Sequence, residues 1–539
     1  MGRRWRLWSR LVVVMTTAKI CARWLLPALL LLLATAVFCW RWSGLEDRPM
    51  HHDEANQAVR CGELLAGRGY RYDPEEHHGP SLYYLSVPLL RLQGVTTLAE
   101  SSERHFRLVP LLFGCLLIMQ LLWWRRGLGA VGVVAAGLLL GFSPVMAYYS
   151  RYYIQEMLLV FFAGGALCCL WRWVEQPRWP WAVGVGAFWG LCHASKETWV
   201  ISAAAMVCGG VLLWCCQPAW RRRVLLARAV RQAPWALLAL LLLSALFYTA
   251  GGRHPRGLLD SVLAYGGYLQ RAGGGEHSQP WTFYLERLLW YRAGPGPRWS
   301  EWPVLALALC ALAGVSGRGR WRSPVARPLL LYLAVYALVQ AVTYSLIAYK
   351  TPWCALAFWH GFILLAGCGV ATLYAWLRHW YWQVPGMLLC ALLLWPLAAQ
   401  TRRANGRYAA DPRNPYAYAH TLPDARRLAQ RIDAVAACGA PAPADSGVDI
   451  AVFSSAEDAW PLPWYLRRYD AVGYWAEPVP ALVAARPHFI VCSVAYDDEV
   501  EKLVGAVYQR ELYGWRPNSI MVLRVRRDAW AKWLARQQR

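Results

Sequence analysis

Long apolar segments recur along this chain and constrain its fold more than any other feature. A helix needs roughly 20 apolar residues to cross a bilayer core of ~30 Å, and fewer when tryptophans and arginines anchor its ends. About eleven segments qualify, of which the two shortest are the weakest candidates. They are 24–42, 107–124, 128–148, 154–174, 180–194, 198–216, 233–250, 302–315, 328–348, 353–377 and 384–400. The sequence therefore predicts a polytopic α-helical membrane protein.

The positive charge follows the same pattern. The net charge is +24, but the arginines sit in short runs between apolar segments, which favours a topology signal over a nucleic-acid partner. Such runs accumulate on the cytoplasmic side. We therefore predict that the protein lies in the cytoplasmic (inner) membrane. Its basic N-terminus, 1–23, and every second connection are predicted to face the cytoplasm. The loops 43–106 and 251–301 then lie outside.

The first apolar segment could also be a cleaved signal peptide. The long basic stretch before it and the pair Arg41-Trp42 at its end favour an uncleaved membrane helix instead. The membrane domain is then predicted to span 24–400.

The tail, 401–539, is predicted to be a small extracytoplasmic α/β domain. Three apolar runs, 449–454, 488–494 and 519–525, are typical of strands, and helical stretches around 422–437 and 499–510 alternate with them. No glycine-rich phosphate loop follows any of these strands, so we expect no chemistry from the tail itself.

The first outer loop carries a dense group of ionisable residues. It begins with His51-His52-Asp53-Glu54, directly after the first membrane helix. The adjacent carboxylates could act as a general base, hold a divalent cation, or simply be solvated. Further along the loop, Glu76, His77 and His78 precede a Gly-Pro turn. A histidine pair beside carboxylates could bind a metal ion such as zinc, or orient a phosphate.

Three further outer connections place a cation among aromatic residues. They read YYSRYYIQE, ASKETW and YKTPW, and their cations are Arg151, Lys196 and Lys350. Interfacial anchoring explains such cations, but it does not predict Glu156 and Glu197 at the starts of apolar helices. Because these loops share one side, they can form one cavity in which the cations neutralise a phosphate and Asp53 or Glu54 accepts a proton. The pattern predicts a transferase that uses a lipid phosphate.

Six motifs follow one another along the chain: Asp53-Glu54-Ala55, YDPEEHHGP, SRYYIQE, SKET, YKTPW and NPYAYAHT. In this order they resemble the GT-C superfamily of membrane glycosyltransferases. This superfamily includes the protein O-mannosyltransferases and the aminoarabinose transferases, and the motifs are most similar to its flippase-activity-associated branch. The resemblance implies a GT-C fold, a polyprenyl-phosphate sugar donor, and Asp53 as catalytic base with Glu54 beside it. We also expect the substrate to contact His78, Tyr152, Glu156 and Glu197.

One motif departs from the aminoarabinose transferases, which have a lysine followed by prolines where this chain has His78-Gly79-Pro80. A histidine there could ligate a metal ion with Glu54 or Glu76.

Two other functions stay open. A transporter or flippase would line a translocation path with charges, whereas the charges here cluster at helix ends. A non-catalytic factor could use the same fold to bind lipid-linked glycans. The acceptor could be a glycan, a lipid or a protein.

Overall fold

The computed structural model describes residues 24–75, 78–216, 226–275, 277–317, 322–438 and 449–538. Its N-terminal part is helical, because a helix satisfies its own backbone hydrogen bonds and can therefore enter lipid. The helices are α1 Trp24–Trp42, α2 His52–Leu65, α3 Ser81–Leu92, α4 Glu103–Gln120, α5 Arg125–Phe142, α6 Pro144–Tyr149, α7 Glu156–Glu175, α8 Trp179–His193, α9 Trp199–Cys216, α10 Leu226–Tyr248, α11 Gly257–Ala272, α12 Phe283–Leu289, α13 Trp302–Ser316, α14 Arg327–Leu346, α15 Ala355–Trp376, α16 Trp380–Leu392 and α17 Leu394–Asn405.

Each predicted apolar segment coincides with helix, which confirms the polytopic helical class. Within the described ranges, 8 helical runs are long and apolar enough to cross a membrane. One of them, Glu103–Phe142, has 40 residues and covers the predicted segment 107–124 and most of 128–148. It is interrupted at Gly129, whose φ of 71° lies in the left-handed region that glycine tolerates. The total of about eleven crossings stays a prediction.

Helix α15 is the centre of the membrane part and packs against α5, α13 and α14. Small residues make this close packing possible. A Cβ atom at Gly367 would lie 2.6 Å from the carbonyl oxygen of Gly132 on α5, and one at Gly369 would lie 1.8 Å from that of Leu307 on α13. The helices could therefore not approach this closely with any larger residue at these two positions.

The tail folds into a small α/β domain, as predicted. Its helices are α18 Asp424–Ala436, α19 Ala456–Ala459, α20 Leu462–Tyr465, α21 Pro480–Ala484, α22 Asp497–Val504 and α23 Arg527–Gln537, and its strands are β1 Ile450–Phe453, β2 Val472–Trp475, β3 Phe489–Ser493, β4 Tyr508–Arg516 and β5 Ser519–Arg526. The strand order is β2-β1-β3-β5-β4, with β1 parallel to both neighbours and β5 antiparallel to both of its own.

The sequence reading missed strands β2 and β4. Strand β2 has no fully buried residue, so it lacks the apolar run by which the other strands were recognised. Strand β4 begins at Tyr508, inside a stretch predicted to be helical. Polar residues alternate along it because one face of this edge strand is exposed.

The predicted topology can be tested by cysteine labelling of intact cells. Gln270 and Lys502 are exposed and belong to the second outer loop and the tail, which the arginine pattern places outside. We expect Gln270→Cys and Lys502→Cys to react with a membrane-impermeant maleimide in intact cells, above the background from the native cysteines. Labelling that needs permeabilised cells would reverse the orientation.

Candidate active site

A cavity of about 430 Å³ lies where four connections of the helical domain meet. They are the first loop, the α6–α7 turn, the α8–α9 turn and the segment after α14. These are the four segments that the sequence singled out, so their convergence is confirmed. The polar side chains that line the cavity are His52, Asp53, Asn56, Gln57, His78, Gln155, Glu156, Lys196, Glu197, Thr198, Tyr265, Tyr268, Tyr344, Tyr349 and Thr351.

Asp53 lies in the first turn of α2 and faces this cavity. His51 caps the helix, because its Nδ1 accepts a hydrogen bond from the Asp53 backbone N–H at 3.1 Å. The Asp53 side chain is 39% exposed, and the helix N-terminus favours its negative charge. Burial alone would raise the pKa of Asp53, but the nearby His51, His52, His78 and Lys196 outweigh it and lower the pKa. Asp53 is therefore ionised at neutral pH and can accept a proton.

Glu54 is turned away from the cavity and is fully buried. Its carboxylate accepts hydrogen bonds from Arg107 at 2.8 Å, from Arg48 at 3.0 Å and from the backbone N–H of Tyr153 at 2.9 Å. Burial would raise the pKa of Glu54, but the two guanidinium groups hold it well below its usual range. This placement corrects two expectations. Glu54 does not lie beside Asp53 in the cavity, and both of its oxygens already accept hydrogen bonds, which leaves them poorly placed for a metal ion.

Two pairs of polar side chains also line the cavity. Lys196 makes a close ion pair with Glu156. Burial would lower the pKa of Lys196, but the Glu156 carboxylate raises it, so the ammonium stays charged. Nδ1 of His78 lies 3.0 Å from Oε2 of Glu197 and 3.1 Å from the Tyr268 hydroxyl. The structure thus brings together the predicted residues Asp53, His78, Glu156, Lys196 and Glu197.

Each of the two glutamates keeps one oxygen without a partner. Oε2 of Glu156 and Oε1 of Glu197 are buried and accept no hydrogen bond within the described part of the chain. A buried acceptor without a donor costs roughly 1–3 kcal/mol. Both oxygens are therefore suited to accept hydrogen bonds from a ligand in the cavity.

Arg151 does not join this cavity, which corrects the prediction that it shares a site with Lys196. Its guanidinium donates to the backbone carbonyl oxygens of Ser43, Gly44 and Asn405 at 2.6–3.1 Å. Arg151 therefore ties the end of α1 to the end of α17. The sequence reading could not foresee this, because the three carbonyls belong to residues distant in sequence.

Lys350 is not among the described residues that line the cavity, although its chain neighbours Tyr349 and Thr351 are. Its ammonium donates to the carbonyl oxygens of Gln279 at 2.9 Å and Ile347 at 2.5 Å. Since an ammonium has three N–H donors, one is left for another acceptor as far as the described residues go.

Tyr152 is not among the described residues that line the cavity. Its ring packs under the Arg48 guanidinium at 4.3 Å and beside the His51 ring at 5.5 Å. Tyr152 therefore packs against the residues that precede the N-terminus of α2 instead of lining the cavity.

Glu76 and His77, the predicted metal ligands, lie outside the described residues. Among the residues that the structure does describe, no group of three His, Cys, Asp or Glu side chains is placed to hold a metal ion. A divalent cation near His78 stays a prediction.

The sequence reading also missed residues that line the cavity. Asn56 and Gln57 follow Asp53 by one helical turn on α2, so helical spacing was a usable signal for them. Tyr268 carried no such signal, because it reaches His78 across 190 residues of sequence.

An apolar groove of about 450 Å³ lies beside the cavity, between helices α12, α13, α14 and α15. We call it the lateral groove. Along α14 it extends from Ala334 to Leu346, which corresponds to about 18 Å of helix. Only a thin wall separates the two spaces. Tyr344 of the cavity packs against Phe358 of the groove, with ring centroids 6.3 Å apart.

Comparison with known proteins supports this architecture. Residues 87–249 match the family model of dolichyl-phosphate-mannose-protein mannosyltransferase. A search of curated proteins by sequence finds no match.

Among solved structures, ArnT from Cupriavidus metallidurans bound to undecaprenyl phosphate has a TM-score of 0.58 at 16% identity, over 92% of this chain and 97% of ArnT. The archaeal oligosaccharyltransferase AglB from Archaeoglobus fulgidus, in complex with an inhibitory peptide and a dolichol-phosphate, has a TM-score of 0.53 at 13% identity, over 95% of this chain and 77% of AglB. Because the likeness to ArnT and AglB extends over nearly the whole chain, this polytopic membrane protein has the fold of the GT-C glycosyltransferases, as its motifs implied.

Proposed function

We propose that this chain transfers a sugar from a polyprenyl-phosphate donor to an acceptor at the predicted outer face of the membrane. The observation that carries the proposal is an ionised aspartate, Asp53, facing a polar cavity beside an apolar groove. A lipid-linked sugar needs both environments, one for the sugar and one for the isoprenoid chain. ArnT with undecaprenyl phosphate and AglB with dolichol-phosphate support this choice of donor.

In the proposed reaction, Asp53 takes the proton from the acceptor hydroxyl or amine. The freed oxygen or nitrogen attacks the anomeric carbon of the sugar. The bond from that carbon to the phosphate oxygen breaks, and the lipid phosphate leaves with the electron pair. Asp53 needs to be deprotonated for this step, and its lowered pKa meets that condition at neutral pH.

The sugar is proposed to bind between the two glutamates. The unpartnered oxygens of Glu156 and Glu197 would accept hydrogen bonds from sugar hydroxyls, and these bonds would remove the cost of leaving buried acceptors unpaired. The cavity is large enough for a sugar ring.

The phosphate is proposed to lie near Lys350 and Lys196. Lys350 has a spare N–H donor, and its carbonyl partner belongs to Ile347, which lines the cavity next to the groove residue Leu346. Lys196 lines the cavity itself. A phosphate at this junction would place the isoprenoid chain in the lateral groove and the sugar toward Asp53. The third predicted cation, Arg151, is left out because neither it nor its chain neighbours are among the described residues that line the cavity.

Lys350→Met is expected to weaken binding of polyprenyl phosphate by about 1.5–3 kcal/mol, which is the range for one hydrogen bond to a charged group. Binding to purified protein in nanodiscs measures this. Arg151→Met is the matched control, since it also removes a buried cation at the same end of the bundle. It should lower the melting temperature and leave the affinity unchanged. Equal affinity losses in both variants would contradict the assignment of Lys350.

The function itself is tested by transfer from labelled donors that differ in chain length. We expect the wild type to transfer sugar from a long-chain polyprenyl phosphate to an envelope extract. Ala341→Trp narrows the lateral groove and should raise the KM for the long-chain donor. The KM for a donor with one or two isoprene units should stay unchanged. Leu388→Trp, on the exposed side of α16, is the control for a tryptophan added at the lipid surface.

Failure to transfer from a panel of sugars, together with intact binding of polyprenyl phosphate, would instead favour a binding factor for lipid-linked glycans.

A further inference from the structure

The tail domain packs directly against the first loop, 43–106. Arg426 donates to the carbonyl oxygen of Glu46 at 2.5 Å, and Arg467 donates to that of Ser101 at 2.6 Å. The backbone N–H of Met50, one residue before His51, donates to the Tyr465 hydroxyl at 2.9 Å. The tail therefore contacts the first loop immediately before the helix that carries Asp53.

A short turn of the tail, 457–460, is held rigidly by the β4–β5 hairpin. The indole N–H of Trp515 donates to the carbonyl oxygens of Asp458 at 2.8 Å and Trp460 at 3.1 Å. The Arg516 guanidinium donates to the carbonyl oxygen of Trp460 at 3.0 Å and makes a close hydrogen bond to that of Glu457. Two consecutive side chains of β4 thus hold the backbone of this turn.

The turn presents Trp460 to the cavity wall. Its ring lies against the ring of His52, with centroids 5.9 Å apart. His52 lines the cavity and immediately precedes Asp53 in the first turn of α2. A chain of contacts therefore runs from Arg516 of the tail, through Trp460, to the residue next to the proposed base.

We propose that the tail domain is part of the catalytic unit, in which Arg516 and Trp460 are positioning residues that hold His52 and the start of α2 beside the cavity. This rests on the proposed function for its catalytic meaning, but the contact itself is independent of it. The physical reason is that α2 begins at the cavity, where the His51 cap and contacts from other segments, instead of a preceding helical turn, hold its first residues. The Trp460 ring limits the movement of the His52 ring, and therefore that of the cavity wall next to Asp53. A shift of about 1 Å at a reacting group can cost roughly 100-fold in rate.

The test uses Trp460→Ala, which removes the ring, and Trp460→Phe, which keeps an aromatic face. Trp460→Ala should lower the turnover number by about ten- to a hundredfold with unchanged affinity for polyprenyl phosphate, and Trp460→Phe should restore most of it. Trp533→Ala is the control, because it also removes a partly buried tail tryptophan, whose ring packs against Trp530 and Arg431 of the tail itself. It should leave the turnover number unchanged.

A second readout does not need transfer. Diethyl pyrocarbonate modifies exposed imidazoles, and peptide mass spectrometry of the full-length protein locates the modified histidine. In both Trp460→Ala and Arg516→Gln, we expect His52 to react several-fold faster, while the buried His51 serves as an internal reference. Arg516→Gln keeps the proposal testable if Trp460→Ala does not fold. Unchanged His52 reactivity in both variants, or a loss of turnover in Trp460→Phe as large as in Trp460→Ala, would overturn the proposal. If the wild type transfers no sugar but His52 reactivity rises as expected, the proposed function fails and the positioning contact stands.

Discussion

Asp53→Asn is expected to lower the turnover number by roughly 10²–10⁴-fold, the range for the loss of a general base. Asparagine keeps the size of the side chain and cannot accept the proton. Because Asp53 is part of the cavity wall and makes no ion pair with an arginine of the described residues, the variant should fold and melt like the wild type. A transfer assay with a defined polyprenyl-phosphate sugar measures the effect, and binding of the lipid phosphate to the same preparation serves as the control.

The pH dependence gives an independent check of this assignment. The pKa of Asp53 is lowered from an ordinary value of about 4, so the carboxylate is the ionised, active form above that pH. The acid limb of kcat/KM in the wild type should therefore lie below about pH 4, as far as the protein stays folded. Turnover in Asp53→Asn equal to that of the wild type would remove the catalytic assignment and favour the binding factor.

Glu54→Gln is expected to act on stability, in contrast to its neighbour. It removes the buried negative charge that the Arg48 and Arg107 guanidinium groups share, and leaving such charges unpaired costs about 3–5 kcal/mol. We expect a marked drop in the melting temperature of the detergent-solubilised protein. Pairing Glu54→Gln with Arg107→Met should recover part of the loss, because one unpaired guanidinium is then replaced by an apolar side chain of similar length.

The two substitutions thus separate the adjacent carboxylates by their effects. Asp53→Asn should lower activity at unchanged stability, and Glu54→Gln should lower stability first. A Glu54→Gln variant that melts like the wild type but fails to turn over would restore Glu54 to the catalytic role that the sequence suggested.

The sequence by itself predicted the fold class and the four segments that meet at the candidate site. Its apolar segments predicted the membrane helices because the thickness of a bilayer sets their length, independently of the neighbouring helices. Its motifs, from Asp53-Glu54-Ala55 to YKTPW, implied the GT-C fold. Counting the membrane crossings predicted that four charged connections lie on the same side of the membrane. In the structure, these connections meet at the cavity that Asp53, Lys196 and Glu197 line.

Only the tertiary structure decided which groups each charged side chain contacts. Asp53 and Glu54 are neighbours in sequence, but successive residues of a helix point about 100° apart, so one faces the cavity and the other meets Arg48 and Arg107 in the core. Arg151 and Lys350 look alike in sequence, and both donate to backbone carbonyls. Arg151, however, ties the ends of α1 and α17 together, whereas the chain neighbours of Lys350 line the cavity. The contact of Trp460 with His52 joins residues about 400 positions apart, and such a pairing depends on how two domains dock. Local patterns in a chain report burial and spacing, whereas the partner of a buried charge is set by packing between segments that no local pattern connects.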